Sequence, residues 1–306
     1  MLKSPKACLG SIISILLLLT VPGNVWAACG DSGVALQILG SGGPFGYGSA
    51  SAGYIVWIDG VSRIMVDAGG GTFARFHESG ARMADLDLLA LSHFHPDHSS
   101  EVPALLWTQR AELRIVGPSG NDGFPSVEQF LDGLFGTGGV FRVMNQRLNY
   151  EAVTVDVAAP EPVEVFSDGL IRVRGVGVPH GNVPAVGYRI DVGEVSIAFS
   201  SDQTGTNPAF NELIRNTDVL VVHFAASEEP VGGTANLHAK PSVWGQMASD
   251  ADVGTLVLSH LSKSEPSFAR STSNSGTDLE GSVEHLRSRY SGSLIVARDL
   301  LCVPVK

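Results

Sequence analysis

The sequence LLALSHFHPDHSS occupies residues 88–100. It begins with an apolar run long enough for one buried strand, which is followed by His93, His95, Asp97 and His98. Neutral imidazole and carboxylate are ligand types that suit zinc and other first-row metals. His93 and His95 point the same way in an extended chain, and the other two follow in the turn. The pattern predicts a turn that seeds two adjacent metal sites. Surface histidines explain it poorly, because four potential ligands fall within six residues.

The N-terminal 27 residues have the composition of an export signal. Lys3 and Lys6 give a basic start, residues 12–21 are apolar, and residues 25–27 offer a cleavage site. The apolar run is too short to span a bilayer comfortably, so no stable membrane span is expected after cleavage. We expect a signal peptide over 1–27, one domain over 28–306, and a location in the periplasm or outside the cell. An uncleaved anchor and a lipid-modified Cys29 are the alternatives.

The mature chain is strongly acidic. Of 306 residues, 44% are hydrophobic and 36 are glycine, enough for a sizeable core with many tight turns. Cleavage removes two lysines and leaves 18 basic and 31 acidic residues, a formal charge of −13. This is the wrong sign for general nucleic-acid binding and favours a small-molecule partner. Cys29 and Cys302 remain. Export permits a disulfide between them, but their separation stays open at this level.

Strand-like and helix-like segments alternate along both halves of the chain. Besides the strand at 88, strands are predicted at 34–39, 52–58, 63–66, 113–116, 153–157, 170–178, 185–191, 196–199, 219–223 and 255–258, with a final one at 293–297. Helices are predicted at 101–110, 126–134, 207–215, 241–249 and 279–290, and a short one ends near 79. The alternation predicts an α/β layered fold with two sheets face to face and helices outside. The serine-rich segment 262–277 is predicted to be a loop, and the glycine-rich run at 40–44 a plain turn.

Three more candidate ligands follow apolar strands far away in the sequence. His180 follows the strand at 170, Asp202 the strand at 196, and His260 the strand at 255. Strand ends in a layered sheet collect at one edge, so these side chains are expected to converge with the first motif. Any one of them alone would be read as an ordinary loop residue.

The order H-x-H-x-D-H, His, Asp, His resembles the metallo-β-lactamase superfamily, and specifically its ribonuclease Z-like branch. The resemblance covers nearly the whole mature chain. It includes the glycine loop at Gly40, the turn at 66–69, the LVLSHLS run at 256–262, and His238. It implies a four-layer αβ/βα sandwich with a centre of two divalent metal ions, usually zinc, with manganese or iron as alternatives.

The resemblance also implies individual roles. One ion would be held by His93, His95 and His180, and the other by Asp97, His98 and His260. Asp202 would bridge the two ions. Asp67 would orient the first ligand turn by hydrogen bonds. A metal-bridged hydroxide would attack the ester, steered by Asp97, and His238 would protonate the leaving group.

Two departures from the family pattern limit the substrate. Only 22 residues separate His180 from Asp202, so the long RNA-binding arm of ribonuclease Z enzymes is absent. Phe224 stands where the family has an acidic residue supporting the proton donor; Glu228 or Glu229 could replace it. Both departures argue against transfer-RNA processing. True β-lactamases lack the bridging aspartate, which disfavours antibiotic hydrolysis.

The remaining histidines receive simpler interpretations. His77 and His285 have charged neighbours on predicted helices and are expected at the surface. His223 ends a predicted buried strand, where a supporting hydrogen bond is favoured over metal ligation.

Together these observations predict an exported binuclear-metal hydrolase that cleaves phosphate esters and resembles a phosphodiesterase. The alternatives are hydrolysis of sulfate esters or lactones, and a non-catalytic metal-binding or ligand-sensing domain. A small-molecule ester is the expected partner, nucleic acid is not expected, and a homodimer is left open.

Export makes a direct prediction about the mature protein. Protein recovered from the periplasm or the medium should lack residues 1–27 and begin near Ala28, because signal peptidase cuts after small residues. Intact-mass measurement checks this. Full-length chain confined to the cytoplasm would contradict it.

Overall fold

The apolar run at 88 forms a short strand, β4 (Leu88–Ala90), whose side chains alternate between two cores. Leu88 and Ala90 face the core between the sheets, whereas Leu89 and the following Leu91 pack against helices. Burial on both faces explains why the run is apolar throughout and does not alternate with polar residues. The computed structural model describes Met1 and residues 29–107, 112–230, 232–262 and 278–306.

The first sheet lies mostly in the N-terminal half and contains seven strands among the described residues, in the spatial order β14-β1-β2-β3-β4-β5-β6. Strands β3 to β6 pair in parallel and the others are antiparallel. Besides β4, its strands are β1 (Val34–Gly40), β2 (Gly53–Ile58), β3 (Val61–Val66), β5 (Leu113–Pro118), β6 (Tyr150–Val155) and β14 (Cys302–Val305).

The second sheet repeats this plan, with the order β13-β12-β11-β10-β9-β8-β7 among the described residues. Strands β10 to β13 are parallel, and β7 to β10 form an antiparallel meander. Its strands are β7 (Val163–Ser167), β8 (Ile171–His180), β9 (Val183–Val192), β10 (Val195–Phe199), β11 (Val219–His223), β12 (Thr255–Ser259) and β13 (Ser293–Val296).

Helices cover the outer face of each sheet, so the molecule has four layers. The first sheet packs against α1 (Thr72–Glu78), α3 (Val102–Trp107) and α4 (Val127–Phe135), with α2 (Pro96–Ser99) between its ligand turn and α3. The second packs against α5 (Pro208–Leu213), α6 (Pro241–Asp250) and α7 (Leu279–Arg287). Short 3-10 helices occupy Met83–Asp85, Arg142–Arg147 and Gly232–Asn236. The predicted αβ/βα sandwich is confirmed.

Several predicted boundaries were wrong, mostly at the sheet edges. A further strand, β14, follows the last predicted strand and was missed because Pro304 interrupts its apolar pattern. Proline is tolerated there because β14 is an edge strand. The edge strand β7 is mostly exposed and was also missed. The helix predicted at 101–110 starts as α3 at Val102, and residues 108–111 lie outside the described residues. So do residues 2–28, which hold nearly all of the predicted signal peptide, and residues 263–277.

The segment before β1 and the last strand are covalently joined. Cys29 and Cys302 form a disulfide with a Cα–Cα distance of 5.6 Å, closing a sequence separation of 273 residues. It attaches the segment before β1 to β14, the edge strand beside it. None of the helices in the described residues is both long and apolar enough to cross a membrane.

Breaking this disulfide should destabilise the fold. Cys302→Ser should lower the free energy of unfolding by about 2–5 kcal/mol, because the unfolded chain regains its loop entropy. Denaturant unfolding with and without reductant measures this. Reductant should destabilise the wild type by a similar amount and leave Cys29→Ser/Cys302→Ser unaffected. If reductant leaves the stability of the wild type unchanged while Cys302→Ser is destabilised, the loss of stability in the variant comes from altered packing and not from the missing disulfide.

Candidate metal centre

The candidate ligands lie where strands of both sheets end at one edge. His93, His95, Asp97 and His98 follow β4, His180 ends β8, and the other two follow β10 and β12. Two of these exits turn through left-handed backbone, at Ser201 (φ 58°) and His260 (φ 52°), and so does the exit of the neighbouring β3 at Asp67 (φ 57°). Such φ values are uncommon for residues other than glycine and cluster at functional sites. These turns lie at or beside the residues predicted to form the centre.

The structure brings all the predicted ligands together. Nitrogen and oxygen atoms of two groups each lie within 4.8 Å of one another. The first group is His93, His95, His180 and Asp202, as the resemblance implied. The second is His98, Asp202, His223 and His260, so His223 appears where Asp97 was expected. Asp97 is nevertheless close, with its Oδ2 3.1 Å from Nε2 of His260.

Asp202 stands at the middle of the cluster. The Nε2 atoms of five histidines lie 3.5–3.9 Å from one of its carboxylate oxygens: His93, His98, His180, His238 and His260. Asp202 itself is 3% exposed. A carboxylate shared by two groups of imidazole nitrogens is placed as a bridging ligand would be.

Several imidazole nitrogens face one another at hydrogen-bond distance, which is an arrangement that fits bound cations. Nε2 of His98 lies 3.2 Å from Nε2 of His260, and Nε2 of His93 lies 3.0 Å from Nδ1 of His95. The buried Nε2 of His180 has no hydrogen-bond partner among the residues that the structure describes. A buried nitrogen is normally paired, and lone pairs that converge in this way are satisfied by a shared cation. The donor set of imidazole and carboxylate suits zinc and similar ions.

The carboxylates of the centre are held in their anionic form. Burial alone would raise the pKa of Asp202, but the facing His260, His238 and His98 hold it well below its usual value. For Asp97, burial likewise raises the pKa, and the hydrogen bond from His260 with the nearby His98 outweighs it. Both side chains therefore present charged oxygens, the form that binds metal.

The histidines divide into two electrostatic kinds. Burial, together with neighbouring imidazoles, lowers the pKa values of His93, His95 and His180. These rings are neutral, as ligation requires. His98 is the exception: burial lowers its pKa, but Asp202 and Asp67 raise it well above the usual value. The region between those carboxylates favours positive charge, which a metal ion would also supply.

Asp67 supports the first ligand turn from beneath. Its carboxylate accepts hydrogen bonds from the Ser92 backbone N–H at 2.7 Å, from Ser92 Oγ at 2.9 Å and from His98 Nδ1 at 2.8 Å. The bond to His98 fixes the proton on Nδ1 and leaves Nε2 for the centre, as is common for histidines that bind metals. The sequence identified Asp67 but not Ser92, which looks like an ordinary strand-end residue.

His223 has protein partners on both ring nitrogens. Nδ1 lies 2.7 Å from Oδ1 of Asp202, and Nε2 lies 3.3 Å from the hydroxyl of Tyr54. That hydroxyl also donates to Ser259 Oγ at 2.9 Å. These contacts favour the supporting hydrogen-bond role expected for His223, although it lies within ligand distance of the second group. Tyr54, from the opposite sheet, gave no signal in the sequence.

His238 lies beside the centre, and Asp202 is its one acidic neighbour among the described residues. Its Nε2 is 3.9 Å from Oδ2 of Asp202, and its buried Nδ1 has no hydrogen-bond partner in the described part of the chain. Burial lowers its pKa to about 4 despite the charge of Asp202. Glu228 does not replace the missing acid: it accepts from Ser242 N and Oγ at the start of α6. His77 and His285 are exposed on α1 and α7, as expected.

Four layers with a histidine–aspartate centre at the edge of both sheets define a metal-dependent hydrolase. Residues 62–261, more than half of the chain, match the family model described as a beta-lactamase superfamily domain. The chain belongs to the beta-lactamase superfamily. This confirms the predicted superfamily, and the sequence relatives agree with its ribonuclease Z-like branch.

Relatives and solved structures are similar over most of the chain. Ribonuclease Z of Mycobacterium marinum (strain ATCC BAA-535 / M) is 25% identical over 251 residues, covering 74% of this chain and 86% of that one. The metallo-beta-lactamase fold protein YhfI from Bacillus subtilis has a TM-score of 0.68 at 19% identity and covers 88% and 98%. A diphosphatase of the PhnP family has a TM-score of 0.59 at 18% identity and covers 88% and 97%.

The cluster predicts about two divalent ions per mature chain, because its ligands exceed what one tetrahedral site uses. Elemental analysis of protein purified without chelator measures this. Asp202→Ala should lose both metal and activity, because it removes the carboxylate shared by both groups. Asp218→Ala, at a carboxylate that binds Ser196 instead, is the control for general damage. A reproducible value near one ion, unchanged by added metal, would contradict the two-ion prediction.

Proposed function

We propose that this chain is an exported hydrolase that binds two divalent metal ions, with zinc as the expected metal, and that it cleaves phosphate esters. The observation that carries the proposal is the ring of five imidazole nitrogens around the Asp202 carboxylate. One ion would be held by His93, His95 and His180, and the other by Asp97, His98 and His260; Asp202 would serve both. When bound, such ions polarise phosphoryl oxygens and lower the pKa of water.

Side chains of this protein would then position the attacking water and protonate the leaving group. Water, oriented by a hydrogen bond to the anionic Asp97, attacks phosphorus and releases its proton to solvent, and the bond from phosphorus to the leaving oxygen breaks. The leaving oxygen needs a proton in return, and the ring of His238 is placed to donate it. His238 is neutral at rest, because burial lowers its pKa to about 4. An anionic ester beside the His238 ring favours the protonated form of that ring. Binding of the substrate would therefore cause His238 to take up the proton that it donates.

A small ester suits this site better than RNA. Only β9 and β10, with their short turns, lie between His180 and Asp202. The mature chain has an excess of 13 acidic residues over basic ones, which repels nucleic acid. The relatives named ribonuclease Z act on RNA, and the diphosphatase shows that the fold also serves another phosphate chemistry. We therefore propose a phosphodiester or small phosphoester as substrate.

Export is supported by the disulfide between Cys29 and Cys302, since such bonds persist in oxidising compartments. Removal of residues 1–27 would leave this bond intact. We propose that residues 28–306 form one exported domain.

A substrate screen tests the proposed function. Chromogenic phosphodiester, phosphomonoester, sulfate-ester and lactone substrates are compared with and without added zinc or manganese. Turnover of phosphate esters that requires metal supports the proposal. Exclusive turnover of sulfate esters or lactones would replace it with one of those chemistries, and no turnover with full metal content would favour a non-catalytic metal-binding domain.

His238 should affect turnover and not metal content, because it is expected to contact substrate. His238→Ala should keep both ions and slow release of an alkoxide leaving group about 100- to 10,000-fold, which is the usual contribution of general acid catalysis to a rate. Release of nitrophenolate, which needs no proton, should slow much less. Kinetics paired with elemental analysis measure both effects.

The matched control is His285→Ala, which removes an exposed imidazole from α7 and should change neither quantity. If His238→Ala strips metal as severely as Asp202→Ala, His238 is a ligand. If every rate is unchanged, the proton comes from another group.

A further inference from the structure

The loop between β1 and β2, residues 41–50, has the sequence SGGPFGYGSA and is closed at its base by one carboxylate. Asp299 accepts hydrogen bonds from the Ser41 backbone N–H at 3.1 Å and from Ser41 Oγ at 3.0 Å. Its other oxygen accepts from the Ala50 backbone N–H at 2.8 Å. Both ends of the loop are therefore fixed by the same side chain, near the C-terminus.

The first arm of the loop lies directly against the metal centre. A Cβ atom on Gly43 would stand 2.9 Å from Cε1 of His260, closer than real Cβ contacts allow. Ser51 Oγ donates to the Gly43 carbonyl at 3.0 Å, and the Leu261 N–H donates to the Ser41 carbonyl at 2.8 Å. Glycine is thus required where the loop meets this candidate ligand, which the sequence interpretation of a plain turn did not anticipate.

The tip of the loop carries two exposed aromatic rings. Phe45 is 50% exposed and Tyr47 is 41% exposed. Their ring centroids are 6.2 Å apart and their planes differ by 20°. Phe45 is only two residues from Gly43, and two residues span at most about 7 Å. The aromatic tip, meaning Phe45 and Tyr47, therefore stands close to the centre on the His260 side.

A third aromatic ring lies beside His95, a candidate ligand of the first group. Phe124 is partly exposed, and its ring centroid lies 6.2 Å from that of His95, with the planes at 70°. Residues 41–50 contain no charged side chain, so the loop has no cation to bind a second phosphate. What it offers a ligand is aromatic surface. Flat apolar groups pack on such rings through stacked or edge-to-face contacts.

We infer that the aromatic tip, together with Phe124 beside His95, binds a planar aromatic group of the substrate, so that the substrate class is phosphate esters of aromatic or heteroaromatic alcohols. The inference rests on the proposed function and makes it more specific. The phosphoryl group lies at the histidine–aspartate centre, and the ring that it carries packs against Phe45 and Tyr47. Phe45 and Tyr47 then determine specificity without taking part in bond breaking.

Two diesters with one leaving group test the inference. The O-phenyl S-methyl and O-methyl S-methyl phosphorothiolate diesters both release methanethiolate, which carries no ring, and differ only in the group that remains. The wild type should prefer the phenyl diester in kcat/KM. Phe45→Ala/Tyr47→Ala should lower kcat/KM for the phenyl diester about tenfold, a loss typical of one or two aromatic contacts, and change the methyl diester less than twofold.

Ring-preserving and remote variants provide the controls. Phe45→Tyr/Tyr47→Phe keeps both rings and should keep the preference. Leu170→Ala truncates a side chain that is 53% exposed at the far end of β8 from His180, and should change neither rate. Inhibition by phenylphosphonate and methylphosphonate gives a binding readout: only the first should weaken in Phe45→Ala/Tyr47→Ala.

The outcomes separate this inference from the function beneath it. If both diesters are cleaved and Phe45→Ala/Tyr47→Ala slows both equally or slows neither, the aromatic tip does not select the substrate. The inference is then wrong, but the proposed hydrolase activity is supported. If no phosphate ester is cleaved by the metal-loaded wild type, the proposed function fails and this inference falls with it.

Discussion

The feature on which the rest of the site depends is buried negative charge whose ion-pair partners among the described residues are all histidines. Asp67 and Asp202 are almost completely buried. Buried carboxylates are costly unless they are paired or bind metal. The raised pKa of His98, between these two carboxylates, reflects the same need for positive charge. Ligand geometry, backbone turns and supporting hydrogen bonds all serve to hold those carboxylates in place.

To keep these two carboxylates in position, the two sheets must be held firmly together at the edge that carries the site. The Tyr188 hydroxyl of β9 donates to the Leu91 carbonyl at 2.8 Å, and the Val186 N–H donates to the Ser92 carbonyl at 2.9 Å, both just before the ligand turn. Tyr54 of β2 reaches Ser259 in the other sheet. Left-handed residues at three strand exits cost about 1–3 kcal/mol each, which packing of the two sheets must offset.

Sequence patterns predicted the buried parts of the fold better than its edges. Central strands such as β4 and β12 are apolar on both faces, because a layer covers each side, and this gives a continuous signal. The edge strands β7 and β14 carry exposed residues or proline, so their sequences resemble loops. In the site, histidine and aspartate after apolar runs are informative by residue type. Tyr54, Ser92 and Gly43 act through contacts with residues far away in the chain, and their types are common everywhere.

The sequence by itself determined the four-layer architecture and the set of histidines and aspartates at the site, because residue type and strand periodicity encode burial and metal-ligand chemistry locally. Only the tertiary structure decided which nitrogens face which oxygens. It placed Asp202 among six imidazoles, gave His223 a partner on each nitrogen and, among the described residues, gave His238 no acidic neighbour besides Asp202. It also brought Gly43 against His260, 217 positions later. Such contacts join segments that are distant in the chain, so they depend on how the sheets pack and no local pattern records them.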